Sequence, residues 1–284
     1  MVYGHERRPK VTVRTLLRKK REKTPITMLT AYDFPTARLL DEVGIDVILV
    51  GDSVGMVVLG YETTIPVTLE EMVHHTRAVT RARPSAMVVT DMPLGSYHID
   101  EKESVRNALR CIKEAGADAV KIEGGRNRVP LIERMIDAQV PVMGHIGLTP
   151  QSYLLEGGYV RPKHPEQKDE LLADAEALAA AGCFSIVLEC VPAEWATLIT
   201  QSVSIPTIGI GSGPNCDGQV LVFHDLVGLT PFPPPPFAPR LADVYSQMKE
   251  AVLAYKMKVE TGTLFERDVD RTPREDPAND RLGK

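Results

Sequence analysis

Eight short apolar runs, spaced so that the gaps also hold helices, constrain this chain more than any other feature. They are Ile26 to Thr30, Asp46 to Gly51, Ala86 to Asp91, Asp118 to Glu123, Pro141 to Ile146, Ser185 to Glu189, Pro206 to Ile210 and Gln219 to His224. Val, Ile, Leu and Met run through them almost without interruption. A strand with one wet face alternates apolar and polar residues, whereas a strand of a parallel sheet covered by helices on both faces does not. Helical periodicity fills gaps between them at Phe34 to Val43, Leu69 to Arg81, Glu101 to Ala115, Arg128 to Ala138, Lys168 to Ala181 and Ala193 to Gln201. Three of these helices hand over to the next strand through one glycine each, at Gly44, Gly116 and Gly182. Glycine there permits the left-handed turn that stops a helix. Strand and helix alternate eight times, which predicts an α/β chain closed into a (β/α)8 TIM barrel, with a doubly wound open sheet as the competing topology.

The expected domain plan is a helical lead-in over 1–24, a catalytic barrel over 25–260 and a polar, flexible tail over 261–284. Nine of the first 23 residues are Lys or Arg, but Glu6 and Glu22 interrupt them. Val11, Val13, Leu16 and Leu17 share one face, so the segment reads as an amphipathic helix and not as an acid-poor transit peptide. Two stretches break the repeat. Gly157 to Gln167 reads as a long mobile loop over the barrel mouth. Thr230 to Pro239, with Pro233 to Pro236 consecutive, reads as an extended connector, followed by a helix over Leu241 to Lys258.

Composition excludes several partners. A net charge of −5 offers no basic field for nucleic acid. The longest uncharged apolar stretches, such as Val47 to Val50 and Ile205 to Ile210, fall far short of the roughly 18 residues that cross a bilayer. Cys111, Cys183, Cys190 and Cys216 include no Cys-x-x-Cys pair and read as core thiols of a reducing compartment, which predicts a cytoplasmic protein.

Barrels of this kind carry their chemistry at the carboxyl ends of the strands. Here the second candidate strand ends in Gly51-Asp52-Ser53, the third in Asp91-Met92-Pro93, the fourth in Lys121-Ile122-Glu123, the fifth in Gly144-His145 and the sixth in Glu189-Cys190. One strand-end Asp is usually a helix cap. Several acids converging on one mouth are different, because burying carboxylates together is unfavourable without a cation or a shared proton. Asp52, Asp91 and Glu123 offer hard oxygens, which suit magnesium. Lys121 lies two residues before Glu123, so both point to one side of the strand, either to meet a substrate carboxylate or to pair with each other. His145 is either a site residue or a hydrogen-bonded core histidine. Glu189 fits a general base if the site dries it. The run Gly209-Ile210-Gly211-Ser212-Gly213-Pro214-Asn215 lacks the spacing of a nucleotide motif and reads as a tight turn.

These segments also carry a resemblance. Met28-Leu29-Thr30-Ala31-Tyr32-Asp33, Val50-Gly51-Asp52-Ser53-Val54-Gly55-Met56, Pro66-Val67-Thr68, His75-Thr76-Arg77-Ala78-Val79, Asp91-Met92-Pro93, Val120-Lys121-Ile122-Glu123-Gly124-Gly125, Gly144-His145-Ile146-Gly147-Leu148-Thr149-Pro150-Gln151-Ser152 and Leu188-Glu189-Cys190-Val191-Pro192 closely resemble, in order, the ketopantoate hydroxymethyltransferases. That family sits in the barrel superfamily that includes phosphoenolpyruvate mutase and isocitrate lyase. The resemblance implies transfer of a hydroxymethyl group from 5,10-methylenetetrahydrofolate to 3-methyl-2-oxobutanoate, through a magnesium-stabilised enolate, to give 2-dehydropantoate for pantothenate and coenzyme A synthesis. It implies Asp52 and Asp91 as Mg2+ ligands with Glu123 as a third or water-mediated one, Ser53 and Lys121 on the oxo-acid carboxylate, His145 lining the site and Glu189 as proton acceptor. It also implies a homo-oligomer, commonly a decamer. Val160 to Gln167 and the proline-rich stretch differ from the family's usual sequence, which bears on folate handling and oligomer contacts. A related barrel lyase that needs no folate, and a barrel that binds a metabolite without turnover, are the competing readings.

Overall fold

The computed structural model describes residues 8–265. Contacts along the chain divide it into one unit that ends at Ala242 and a second that begins at Asp243. In chain order the first unit runs α1 (Val13–Glu22), β1 (Ile26–Thr30), α2 (Phe34–Val43), β2 (Val47–Val50), α3 (Val54–Val57), α4 (Leu69–Thr80), β3 (Met87–Asp91), α5 (Glu101–Lys113), β4 (Ala119–Glu123), α6 (Val129–Asp137), β5 (Val142–Gly147), α7 (Tyr153–Glu156), α8 (Pro165–Ala180), β6 (Ser185–Glu189), α9 (Ala193–Ser202), β7 (Thr207–Ile210), β8 (Gly218–Leu221) and α10 (Phe223–Val227). Each strand pairs in parallel with the next, and β8 pairs in parallel with β1, so the sheet closes into an eight-stranded (β/α)8 barrel. The open-sheet alternative is thereby excluded.

The alternation of side chains along each strand explains why nearly every strand residue is apolar and still sorts into two cores. Ile48 and Val50 of β2, and Val88 of β3, pack outward against the helices; Val47, Leu49, Met87 and Val89 fill the barrel's interior with Met28, Met143, Val187 and Ile208. Moving up the inward-facing positions, β3 reads Met87, Val89, Asp91 and β4 reads Ala119, Lys121, Glu123. The interior is thus apolar for two layers and turns charged at the carboxyl end.

The other end of the barrel is closed by α1. Leu16, 1% exposed, joins the interior cluster from below, with Val11 beside it. Thr12 caps the helix in a capping box with Thr15. Two adjacent lysines then fasten α1 to the strand bases: Lys19 Nζ lies 2.6 Å from Asp46 Oδ2, and Lys20 Nζ lies 2.8 Å from Asp217 Oδ2. Both carboxylates also accept backbone N–H groups, of Thr27 and Thr207 respectively, so each pair is anchored in the sheet.

Three boundaries differ from the sequence expectation. β8 stops at Leu221, and the apolar run continues as α10, whose approach is fixed by Phe223 N donating to Thr30 Oγ1 at 3.0 Å. A short apolar run does not say by itself whether it is strand or helix. The expected loop after Gly157 is shorter than its composition suggested, because α8 already begins at Pro165, with Gln167 Oε1 accepting the backbone N–H groups of Lys163 and His164. Of the expected tight turn, Gly209 and Ile210 still belong to β7 and the chain bends at Gly211 and Ser212, where the Ser212 hydroxyl accepts from Val191 N and donates to Leu188 O. The second unit, as far as it is described, holds α11 (Val244–Glu260), capped by Asp243 accepting from Ser246 N. It starts three residues later than the expected helix at Leu241. The expected flexible tail lies, from residue 266 on, outside the described residues.

The closed lower end makes a stability prediction. Leu16→Ala removes a fully buried side chain from a packed interior and is expected to cost about 2–5 kcal/mol in chemical denaturation. A loss under about 0.5 kcal/mol, the size of an ordinary surface change, would show that α1 is not part of that core.

Candidate active site

The strand register brings the charged residues together. Asp91 of β3 is the direct neighbour of Lys121 on β4, and Glu123 of β4 is the direct neighbour of His145 on β5. Neighbouring residues on parallel strands project to the same side, so these four side chains share the barrel's mouth. Asp52 follows β2, Ser53 begins the turn into α3, and Glu189 ends β6. All seven line one cavity of about 800 Å³. Asp52, Asp91, Lys121, Glu123 and His145 are each between 2% and 5% exposed, while Ser53 and Glu189 are half-buried.

The hydrogen bonds are specific. Lys121 Nζ lies 2.6 Å from Asp91 Oδ1, but out of line for a good hydrogen bond, so that oxygen is held by charge alone and keeps no aligned partner. Asp91 Oδ2 accepts Asp52 N at 3.1 Å. This approach depends on glycine at 51, since a Cβ there would sit 2.8 Å from Ser53 Oγ and 3.4 Å from that same Asp91 oxygen. Asp52 Oδ2 accepts from Gln151 Nε2 at 2.9 Å, and Glu123 Oε2 accepts from Gln151 N at 3.0 Å. Ser53 Oγ shares a 2.8 Å hydrogen bond with the hydroxyl of Tyr32. His145 stands between two carboxylates, with Nδ1 3.5 Å from Glu123 Oε1 and Nε2 3.2 Å from Glu189 Oε2.

Electrostatics follow from that packing. Burial, then the nearby Asp91 and Glu123 carboxylates, push Asp52 up from 3.8 to about 8. Burial also raises Asp91, against the pull of the Lys121 ammonium. Burial alone would lower Lys121, but Asp91, Glu123 and Asp52 more than reverse it, so the ammonium persists. Burial works to raise Glu123, yet the hydrogen bond to His145 and the charges of His145 and Lys121 bring it below its ordinary value. Burial and Lys121 push His145 down, and its bonds to Glu123 and Glu189 outweigh them, raising it to about 9. Lys121 Nζ sits 3.3 Å from His145 Nδ1, which opposes a proton on that nitrogen. The two flanking carboxylates decide in favour of the imidazolium.

The three acids share the cavity, but not as a closed cage. Among the described residues no three His, Cys, Asp or Glu side chains form a ready-made metal-binding group. Glu123 has one oxygen facing His145 and the other taken by Gln151 N, which keeps it from closing on the other two. The acids with capacity to spare are Asp52 and Asp91.

Several wall residues were not singled out by sequence. Gln151 and Tyr97 are buried in the hydrogen-bond network, and Tyr159, Phe232, Phe237 and Pro233 to Pro235 line the outer half of the cavity. Gln151 had a visible signal, an amide in a Thr-Pro-Gln-Ser turn just past a strand end. Tyr97 had none. The proline-rich connector therefore forms cavity wall as well as connecting. Cys190, directly after Glu189, adopts the left-handed conformation at φ 52, a strained geometry for a non-glycine that ends β6 at the cavity. All four cysteines are free thiols.

Known proteins resemble this chain in sequence and in fold. The family model described as ketopantoate hydroxymethyltransferase matches residues 10–266. The chain is 58% identical over 257 residues to the 3-methyl-2-oxobutanoate hydroxymethyltransferase of Koribacter versatilis, covering 90% of this chain and 87% of that protein. It is 53% identical over 254 residues to the protein of the same name from Ignicoccus hospitalis, covering 89% and 96%. Solved structures share the fold at low identity. A phosphonopyruvate hydrolase in complex with oxalate and Mg++ matches with TM-score 0.60 at 12% identity over 90% of this chain and 89% of that one. A 2,3-dimethylmalate lyase of the phosphoenolpyruvate mutase/isocitrate lyase superfamily matches with TM-score 0.58 at 17% identity, covering 93% of each. No helix among the described residues is long and apolar enough to cross a membrane.

The raised groups give a pH prediction for the metal-free protein. Asp52 keeps its proton in the folded chain up to about 8 but releases it near 3.8 when unfolded, so the folded state binds more protons between those values and stability falls as pH rises through them. His145 acts in the same sense: its contribution is full below 6.5 and is lost as pH rises through about 9. Melting temperatures in chelator at pH 5, 6.5 and 8 are expected to decline, and Asp52→Asn to flatten the decline. An unchanged slope in that variant would reject Asp52 as its source.

Proposed function

The chain belongs to the ketopantoate hydroxymethyltransferase family, and from that premise we propose that it transfers a hydroxymethyl group from 5,10-methylenetetrahydrofolate to 3-methyl-2-oxobutanoate, forming 2-dehydropantoate for pantothenate and coenzyme A synthesis. The observation that carries the reading is the buried floor of the cavity, where the Lys121 ammonium, the Asp52 and Asp91 carboxylates and the Glu189 carboxylate converge.

The residues present fit a magnesium ion. Asp91 Oδ1 is buried without an aligned donor, and Asp52 is driven toward its protonated form by burial and then by neighbours of its own sign. Magnesium takes one or two carboxylates and fills its remaining positions with waters and substrate oxygens, so a complete protein cage is not needed. Asp52 and Asp91 would hold it, with Glu123 acting through water. When bound, the ion supplies positive charge beside the keto oxygen, where negative charge develops as the neighbouring carbon is deprotonated.

The chain's own groups do the rest. Lys121 and Ser53 receive the oxo-acid carboxylate, with Ser53 held in place by Tyr32. Glu189, half-buried at the cavity, accepts the proton from C3 of 3-methyl-2-oxobutanoate, and the electron pair of the broken C–H bond becomes the enolate. His145, whose Nε2 lies 3.2 Å from Glu189 Oε2, keeps that carboxylate aimed by its charge. The enolate carbon then bonds to the methylene carbon, whose two C–N bonds to the folate break; one water supplies the hydroxyl, and the proton taken from C3 and the second proton of that water go to the two folate nitrogens, releasing tetrahydrofolate. A cavity of about 800 Å³ lies toward the upper end of the range, about 300–1,000 Å³, that ligand sites span, and far exceeds what a five-carbon acid fills. That supports a second substrate in the outer, apolar half.

Exchange of the C3 proton with deuterated water, followed by nuclear magnetic resonance, tests the first half. Exchange is expected to require Mg2+, to persist without folate, and to fall at least about 100-fold in Asp91→Asn and in Glu189→Gln, the scale of a lost acid–base group. Metal-independent exchange would reject the site. Adding methylenetetrahydrofolate should then yield 2-dehydropantoate; exchange without that product would favour the folate-independent lyase.

A further inference from the structure

Asp52 and Glu123 are tied to a single residue, one through its side chain and the other through its backbone. Gln151, 7% exposed in a Pro-led 3₁₀ turn at Pro150–Ser152, donates from Nε2 to Asp52 Oδ2 at 2.9 Å and to Met92 O at 3.0 Å. Its backbone N–H donates to Glu123 Oε2 at 3.0 Å. Both amide hydrogens are therefore committed. A flipped amide would aim Oε1 at the Met92 carbonyl, an acceptor with no hydrogen to share. The orientation shown is held from the far side by Tyr97, whose hydroxyl donates to Gln151 Oε1 at 2.7 Å and accepts Glu123 N at 3.0 Å.

Tyr97 is itself fixed. It is 2% exposed, its ring centroid lies 4.0 Å from that of His98, and Arg128 Cζ lies 5.0 Å above it. Arg128 Nε in turn donates to Glu123 O at 3.1 Å. Phenol, amide and carboxylate thus form a chain of hydrogen bonds with one possible direction, running from a clamped ring to Asp52.

We propose that Gln151, oriented by Tyr97, is the positioning residue that fixes the Asp52 carboxylate for cation binding, and that the two act as one unit. The inference rests on the reading of Asp52 and Asp91 as the cation's holders. A carboxylate already set in its binding rotamer loses no further rotamer freedom when the cation arrives, whereas a free one does. Partners behind metal ligands of this kind are typically worth 10–100-fold in affinity.

The test uses Mn2+ as the probe, with free ion read by electron paramagnetic resonance against the full chain at fixed pH, and melting temperatures recorded in parallel. Gln151→Met is expected to weaken Mn2+ binding by about 10–100-fold. Tyr97→Phe is expected to weaken it in the same direction, and the double variant to bind within about twofold of Gln151→Met, because both changes act through one chain of bonds. Leu16→Ala serves as the structural control: it lowers the melting temperature and leaves Mn2+ affinity unchanged. Unaltered Mn2+ affinity in folded Gln151→Met overturns the inference and leaves the cation reading standing. Additive losses in the double variant overturn the part given to Tyr97. Wild-type protein that binds no Mn2+ overturns both. Should Gln151→Met fail to fold, Tyr97→Phe, which removes one oxygen atom, decides: unchanged affinity there overturns the inference.

Discussion

Charge buried at the end of an apolar tube is the constraint on which the structure turns. Three carboxylates, one ammonium and one imidazole sit almost out of water above layers of Met, Val and Leu. Groups in such a place must be paired, because each loses its hydration and a low-dielectric surrounding gives little back. The pairing is nearly complete: Asp91 has Lys121, Glu123 has His145 and Gln151, and Asp52 has Gln151 and no cation of its own. The shortfall shows in Asp52, which is driven toward its protonated form. A mouth so arranged favours one more positive charge, since Asp52 lacks a cationic partner in direct contact and Asp91 Oδ1 has no aligned hydrogen-bond donor.

The rest of the fold serves that arrangement. Parallel pairing puts Asp91 against Lys121 and Glu123 against His145 without help from loops, so the pairs are as rigid as the sheet. The lower end is closed by Leu16 packed into the interior and by Lys19 and Lys20 fastened to Asp46 and Asp217. At the upper end the walls change character. The inner floor is charged and strand-borne, whereas the outer walls are built by segments without regular structure, with Tyr159 and Arg161 on one side and Phe232, the prolines and Phe237 on the other. Arg161 lies 5.9 Å over the Phe237 ring, so the two wall segments meet.

How much of this was legible in the sequence depended on what kind of signal each part carries. The strands announced themselves because a parallel sheet under helices has no polar face, and seven of the eight end in the residues read as their ends or within one of them. β8 was overrun because Val222 and Phe223 continue its apolar run while belonging to the start of α10. The acids, Lys121 and His145 were legible because a charged side chain at an inward strand end is costly unless it has a role. Tyr97 was not, since a phenol is common in cores, and Gln151 showed only as an amide in a turn past a strand end; the hydrogen-bond partners alone reveal what each holds. The proline run was legible as an extended connector, but nothing in consecutive prolines says that they face a cavity. The left-handed Cys190 was equally silent, because backbone strain at a single non-glycine residue is set by the surrounding packing.

This division between strand-borne floor and loop-borne wall also bears on how the proposed reaction is kept apart from those of other barrels with the same fold. Forming an enolate from an oxo acid asks for a cation, a carboxylate anchor and a base at fixed separation, and groups on adjacent strands satisfy that with little freedom to drift. Choosing what the enolate meets is a matter of what fits against it, and here that lies with residues 157–164 and 230–238. These are the segments least constrained by strand register, and they can change without disturbing a single charged pair on the floor. Substitutions in the two classes should therefore separate: those on the floor act on proton removal, and those in the wall act on the step that consumes the enolate. A barrel whose floor is intact and whose wall is altered would still abstract the proton and would fail only afterwards.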